Sequence, residues 1–397
     1  FGDNGVEALE ALTYHGLGIG FVASSLKITE TKNKVAGRKV IEQAAITGGT
    51  YMLQAFLGLG ITLLMYVIGK KLFYGTGLLL PLGFGQGPGN ALTWDVNFTN
   101  LFAGDAEPLF AGDGSVGLSI ASIGFIVGSV IGVIYINIFK RKGQINVEHR
   151  TANTVKSVDL FESNNEIPDT ESVDKFTIQI ALVALAYAGA FGIMFLLSKC
   201  GTFVNNIVWG FNFIWGVITA TLVKLIVKAL KKSGVMKRKY INNYQMDRIS
   251  GFAFDLMIVA GVASIEIEKV KEYILPIVIL CIVGTIATYI YVRLMTKHNF
   301  KGYNHEMFVV NYGTLTGTAS NGMILLKEID PNFDSPASNL FVLSQMPAMI
   351  FVAPLLLLLN YSCKSMQSTI IAMIIFFVLW VAYTIFLFRK QIFKRSK

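Results

Sequence analysis

The sequence predicts an all-α polytopic membrane protein, and three observations carry that prediction. Only 15% of its 397 residues are charged and 53% are hydrophobic, whereas an ordinary soluble domain is about a quarter charged. Apolar windows recur along the chain, each close to the roughly 20 residues that a helix needs to cross the hydrocarbon core. Lys and Arg gather after every other window, the bias that marks cytoplasmic loops.

In order, the windows lie near residues 8 to 26, 43 to 69, 116 to 138, 177 to 197, 203 to 227, 249 to 265, 273 to 295, 339 to 360 and 367 to 389. Basic clusters follow the first (Lys27, Lys32, Lys34, Arg38, Lys39), the third (Lys140, Arg141, Lys142), the fifth (Lys228, Lys231, Lys232, Lys237, Arg238, Lys239), the seventh (Arg293, Lys297, Lys301) and the last (Arg389, Lys390, Lys394, Arg395, Lys397). The alternate connections carry Asp105, Glu107 and Asp113, or Glu266, Glu268 and Glu272. The signs alternate only if residues 70 to 115 and 299 to 338 add no full crossing, so each must enter and leave on one side.

The formal net charge of +9 belongs to these topological clusters, not to one basic face, which excludes a nucleic-acid partner. Cys200, Cys281 and Cys363 are far apart and show no metal or disulfide spacing, and read as core residues. Phe1 opens on an acidic segment that leads into a span with polar groups, which does not fit a cleavable signal peptide and suggests that a natural N-terminal stretch is absent.

Residues 143 to 175, polar and rich in charge, cannot bury enough surface to fold alone and read as a cytoplasmic linker between two halves. Around it the order repeats: span, span, Gly/Thr-rich segment, span. The two Gly/Thr-rich segments enter from opposite faces, so the repeats are inverted. The first repeat is 1 to 142 with a re-entrant loop at about 74 to 98. The second is 176 to 362 with a loop at about 306 to 327, and 363 to 397 adds one helix and a basic tail. Two further spans precede the repeated unit in the second half, so symmetry predicts two before Phe1 and five helices per repeat.

The first re-entrant segment holds Gly83, Gly85, Gly87, Pro88 and Gly89. As continuous helix it would cost about 1 kcal/mol per glycine and about 3 for the proline. Non-helical backbone survives at membrane depth only when buried in protein or lining a wet cavity. In the second, Thr314, Thr316, Thr318 and Ser320 alternate with Gly313, Leu315, Gly317 and Ala319, offering the oxygen donors a hard cation prefers. It runs into a helix start at Ser320 and Asn321, whose free N–H groups favour an anion. Broken helices at corresponding places of two halves point to a transporter's substrate site; interfacial loops or tight Gly-rich packing are the bland alternative.

Three stretches, YHGLGIGF at 14 to 21, GFGQGPGNA at 83 to 91 and YGTLTGTASNGMILLKEIDP at 312 to 331, resemble the bacterial glutamate:sodium symporter family, over nearly the whole chain. The resemblance implies opposed re-entrant loops, a homodimer in the bacterial inner membrane and an elevator-like movement of the substrate-carrying domain, as in the citrate:sodium symporters. Phe84 and Gln86 replace other residues found between the glycines of many members, and the span after residue 366 is extra. Glutamate as the solute follows from the family alone.

The expected solute site is Gly83, Gly85, Gln86, Gly87, Asn90, Gly317, Thr318, Ser320 and Asn321, and the expected ion site is Gly313, Thr314, Thr316 and Asp255. Sodium at the loops is co-transported and no other cofactor is expected. Asp255 lies inside an apparent span, where a charge is expensive and usually functional; it fits cation or proton coupling as well as a hydrogen-bonded helix contact. His15 fits packing better than a ligand role, Asn205, Asn206 and Asn212 fit interhelical bonding, Lys224 fits snorkelling, and Pro347 and Pro354 predict a kink.

A sodium-coupled carrier is therefore the leading expectation. A proton-coupled carrier of another organic anion or dicarboxylate, and a channel, remain as rivals. An enzyme is not expected. An aspartyl intramembrane protease needs two membrane carboxylates and only Asp255 is convincing, and a serine form needs a GxSG-like site that the sequence lacks.

Overall fold

The computed structural model describes residues 3–27, 37–69, 72–102, 114–145, 175–199, 208–209, 212–234, 236, 238, 240–265, 267–330 and 335–394. In chain order the helices are α1 (Asp3–Leu26), α2 (Gly37–Val67), α3 (Pro88–Phe102), α4 (Ser115–Arg141), α5 (Lys175–Ser198), α6 (Asn212–Lys232), α7 (Asn243–Ala263), α8 (Ile274–Asn299), α9 (Asn304–Thr316), α10 (Ala319–Ile329), α11 (Ala337–Ser362) and α12 (Met366–Lys394). Between α2 and α3 runs an irregular helical stretch: a 3-10 segment over Tyr74–Leu78, one α turn over Leu79–Pro81 and a π segment over Leu82–Gln86. No strand occurs among the described residues.

Over its described residues, each apolar window of the sequence coincides with a helix. Six helical segments among the described residues are long and apolar enough to cross a membrane: α2, α4, α5, α6, α8 with the turn before it, and α12. A seventh, α11, counts if its two parts are one span; it bends by 47° between Gln345 and Pro347, where a proline removes an N–H and crowds the carbonyl one turn back. The predicted first and sixth spans, α1 and α7, are helices of 24 and 21 residues that fall short in apolarity. Asp3, Glu7 and Glu10 open α1, and Asp247 and Arg248 open α7. The central part of the expected linker, 146–174, and the start of the expected fifth span, 201–207, lie outside the described residues. So do Lys32, Lys34, Asp105, Glu107, Asp113, Cys200, Asn205, Asn206, Lys237, Lys239, Glu266, Arg395 and Lys397.

Two compact units form, one from Phe1–Glu30 with Asn153–Ser264, the other from Thr31–Ala152 with Ile265–Lys397. Each draws on both halves of the sequence.

The first unit holds α1, α5, α6 and α7. Val22, Ala23, Leu26, Val183, Ala186, Ala220 and Met246 make its apolar core. Glycine brings α1 close to α7: a Cβ on Gly16 would lie 3.0 Å from the Met257 Cβ, and the Ser250 hydroxyl donates to the Gly20 carbonyl at 3.0 Å. His15 meets the Tyr187 hydroxyl at 2.8 Å, and Asn212 donates to the Tyr14 carbonyl at 2.9 Å, so both act in packing. Lys224 does not reach for the interface alone. Its ammonium donates to the Ser25 carbonyl at 2.9 Å, satisfying the negative C-terminal end of α1.

The second unit is built around α2, most of which is buried from Glu42 to Leu63. At its start the buried Glu42 carboxylate accepts from Arg38 and from Arg389 of α12, both at 3.1 Å, and forms an ion pair with the Lys39 ammonium at 2.9 Å. A carboxylate out of water needs such partners, and this one ties α12 to the start of α2.

Candidate functional site

The first hairpin descends along α2. The Thr62 hydroxyl donates to the Tyr74 carbonyl at 2.7 Å and the Tyr51 hydroxyl to the Gly85 carbonyl at 2.6 Å, so residues 74 to 85 run antiparallel to α2 from residue 62 to residue 51. The helix breaks at Gly87, whose φ of +83° favours glycine. Pro88 restarts it as α3, at a position where its missing N–H is no loss. The chain then returns: the Phe98 ring on α3 lies 6.3 Å from the Phe73 ring at the entrance.

The second hairpin rises from the other end of α2. Lys39 donates to the Asn299 carbonyl and sits 5.1 Å over the Phe300 ring. Further along, Gln43 and Asn311 exchange amide hydrogen bonds, and the Gln54 amide donates to the Leu315 carbonyl at 2.9 Å. α9 stops at Thr316, and after Gly317 and the extended Thr318 the chain returns as α10. The returning helix packs so closely that a Cβ on Gly313 would lie 2.8 Å from the Gly322 Cα. The hairpins thus approach from opposite ends of α2, and their tips arrive between Tyr51 and Gln54, near the middle of that helix.

Helices α4 and α8 complete the enclosure. A Cβ on Gly124 of α4 would strike both the Thr316 carbonyl and the Phe84 ring, and one on Gly128 would meet the Thr316 hydroxyl at 2.5 Å and Asn321 at 2.9 Å. On α8, a Cβ at Gly284 would lie 2.6 Å from Leu80 and 3.3 Å from Phe84, and the Thr288 hydroxyl accepts from Gln54 at 2.8 Å. Both tips therefore rest on glycines of α4.

The two tips offer different chemistry. Among the described residues no hydrogen bond is made by the N–H of Gly89 or of Asn90, which leaves the positive end of α3 open to an anion. The N-terminus of α10 is closed on itself: Thr318 Oγ1 accepts from the Asn321 N–H at 3.2 Å. The carbonyl end of α9 faces the same region. The Thr316 hydroxyl donates to Tyr312 at 2.6 Å and that of Thr314 to Val310 at 2.7 Å, so their lone pairs stay available to a cation. The described hydrogen bonds and ion pairs bring no Lys or Arg to the tips. No group of three or more His, Cys, Asp or Glu suited to a metal occurs among the described residues.

Of the residues expected from sequence, Gly83, Gly85, Gln86, Gly87 and Asn90 line the first tip. Asn90 is 1% exposed; its amide nitrogen donates to Gln86 at 2.9 Å and its oxygen has no partner among the described residues. Gly313, Thr314, Thr316, Gly317 and Thr318 form the second tip. Asn321 is engaged with α4, accepting from Ser129 at 3.1 Å and donating to the Phe125 carbonyl at 3.4 Å, which suits an anchor better than a ligand. The Ser320 side chain lies outside the described residues. Asp255 belongs to the first unit and is exposed on α7 beside Phe252 and Val259. Tyr51, Gln54, Gly124, Gly128 and Thr288 were not foreseen. The spacing Gly124, Gly128, Gly132 is a close-packing signal that would have drawn attention to α4. Compared with protein-family models, curated proteins and solved structures, the chain matches none of them.

Proposed function

We propose that this chain is a sodium-coupled symporter of a small acidic solute, glutamate first, working by alternating access in a bacterial inner membrane. The observation that carries the reading is the meeting of two broken-helix hairpins, advancing from opposite ends of a membrane-length helix, at that helix's middle. If α2 spans the bilayer, the hairpins are re-entrant from opposite faces and their tips meet at the midplane, where transporters hold substrate and coupling ion.

The order α1, α2, hairpin, α4 parallels α7, α8, hairpin, α11, in support of inverted repeats. Each hairpin also returns into the next helix through a buried aspartate: Asp95 accepts from the Gly117 N–H at 2.7 Å and Asp330 from the Ser335 N–H at 2.9 Å. The division into two compact units supports an elevator, in which one unit carries the site and the other stays in place. Membership of the glutamate:sodium symporter family and a homodimer rest on the sequence resemblance. A solute anion on the α3 N-terminus, with no fixed cation beside it, is balanced by sodium at the α9 C-terminus, so the two bind cooperatively. The chain is a carrier rather than an enzyme.

Uptake of radiolabelled acidic amino acids into proteoliposomes tests this. Accumulation is expected with an inward sodium gradient and not in choline. Equal uptake in both buffers would defeat sodium coupling, and uptake driven by a proton gradient alone would establish the proton-coupled rival.

A further inference from the structure

Gln54 is fully buried at the middle of α2, where an amide must find partners for both of its ends. Its nitrogen has two: Thr288 Oγ1 at 2.8 Å and the Leu315 carbonyl at 2.9 Å. A carbonyl only accepts, so the nitrogen must be the end that faces Leu315, and the orientation of the amide follows from its surroundings. The oxygen, Oε1, is then held in place by two hydrogen bonds made elsewhere on the same group. It has no partner among the described residues.

An oriented acceptor without a donor asks for a donor or a cation. Leu315 lies in the last turn of α9, whose final carbonyls have no intrahelical partner and form the negative end of the helix dipole. The Thr316 carbonyl stands in that same turn against Gly124. Such a field repels a carboxylate and attracts a hard cation, for which amide and main-chain oxygens are suitable ligands.

We propose that Gln54 is a ligand of the coupling cation, giving Oε1 to the ion alongside the carbonyl end of α9 while its nitrogen holds that helix in place. This rests on the sodium-coupled reading above and deepens it. One turn before, Tyr51 holds the Gly85 carbonyl of the first hairpin. A cation on Gln54 polarises the amide and strengthens its N–H bonds, so occupancy is felt by the second hairpin through Leu315, and by the first through the helix that carries Tyr51. Sodium would then order both tips before the solute arrives.

The test measures sodium binding to the purified full-length chain without solute, by isotope binding and by the sodium-dependent rise in melting temperature, with choline balancing ionic strength. Gln54→Met keeps length and removes the oxygen; it is expected to weaken sodium binding by about tenfold or more. Gln54→Glu keeps an oxygen and adds a titratable charge, so sodium affinity should fall as pH is lowered and the carboxylate protonates. Thr288→Val removes only one partner of the amide nitrogen and is expected to weaken binding by about threefold, the scale of one neutral hydrogen bond. A monodisperse Gln54→Met protein with wild-type sodium affinity would overturn the assignment. So would a Gln54→Glu protein whose affinity is wild-type and independent of pH, which decides the matter if the Met variant does not fold. Absence of sodium binding in the wild-type protein would instead overturn the sodium-coupled function, and this assignment with it.

Discussion

The first hairpin descends through 3-10 and π turns to a glycine at φ +83° and resumes on a proline, whereas the second is a regular α-helix up to Thr316 and resumes on a threonine that caps it. The glycines explain the first route. Gly83, Gly85 and Gly87 within five residues weaken the α ladder and let the segment take the looser π winding, which brings the Gly85 carbonyl to Tyr51. Pro88 then supplies no N–H and no side-chain cap, so the donors of the next two residues stay open. In the second hairpin, Thr318 satisfies the start of α10, and the unsatisfied groups are the carbonyls on the other side of the break. Similar hairpins thus present opposite polarity, N–H groups from the first and C=O groups from the second, at one place on α2.

That contrast is open to attack at the point both hairpins share. Gly124→Leu would drive a side chain into the Thr316 carbonyl and the Phe84 ring together. Overpacking of this kind costs about 1–3 kcal/mol, and loss of uptake is expected together with a lower melting temperature. Unchanged uptake in proteoliposomes would mean that the tips do not meet on α4 as described.

Two substitutions should produce exchanged defects. Gly85→Val crowds the Tyr51 ring at the first tip and is expected to weaken solute binding by about tenfold, the scale of 1.4 kcal/mol, while sodium binding measured without solute persists. Thr316→Val, which removes one hydroxyl at the second tip, is expected to raise the sodium concentration needed for half-maximal uptake by several fold, on the order of 1 kcal/mol, with solute affinity restored at saturating sodium. Titrations of each ligand against the other would show it, and identical defects in the two variants would erase the distinction between the tips. Gly317→Val, where a Cβ would lie 2.8 Å from Asn321 Nδ2, should accumulate normally and follow the Thr316 pattern.

The smallest effect is expected at the cap. Thr318→Ala removes the acceptor for the Asn321 N–H, a loss of about 1 kcal/mol, or about 1 °C of melting temperature in a chain of this size, with uptake retained. A large loss of uptake without a change in stability would mean that Thr318 itself touches the solute.

Helix positions were legible wherever an apolar stretch is long, because crossing a bilayer imposes a length and a composition that show in one dimension. The breaks were legible as well, since Gly87–Pro88 and Gly317–Thr318 contradict helix propensity where a helix would otherwise continue. Asp255 shows where such reading stops: a charge within an apolar run signals function, but the sequence does not say which helices pack around it, and the structure places it on α7 of the first unit. The partners of Asn321 were not legible either, since an asparagine at a helix start does not reveal that its amide will meet Ser129 and Phe125 of α4.

The sequence by itself determined an all-α chain with membrane-length helices and two Gly/Thr-rich breaks, all consequences of local propensity and hydropathy. Only the tertiary structure decided that α2 serves both hairpins, that their tips come together at Tyr51 and Gln54, and that the glycines of α4 admit them. Those facts rest on contacts between residues far apart in the chain, Gln54 with Leu315 and Gly124 with Thr316 among them. No local pattern encodes such contacts, because a buried glutamine and a glycine in a helix look the same whichever partner they meet.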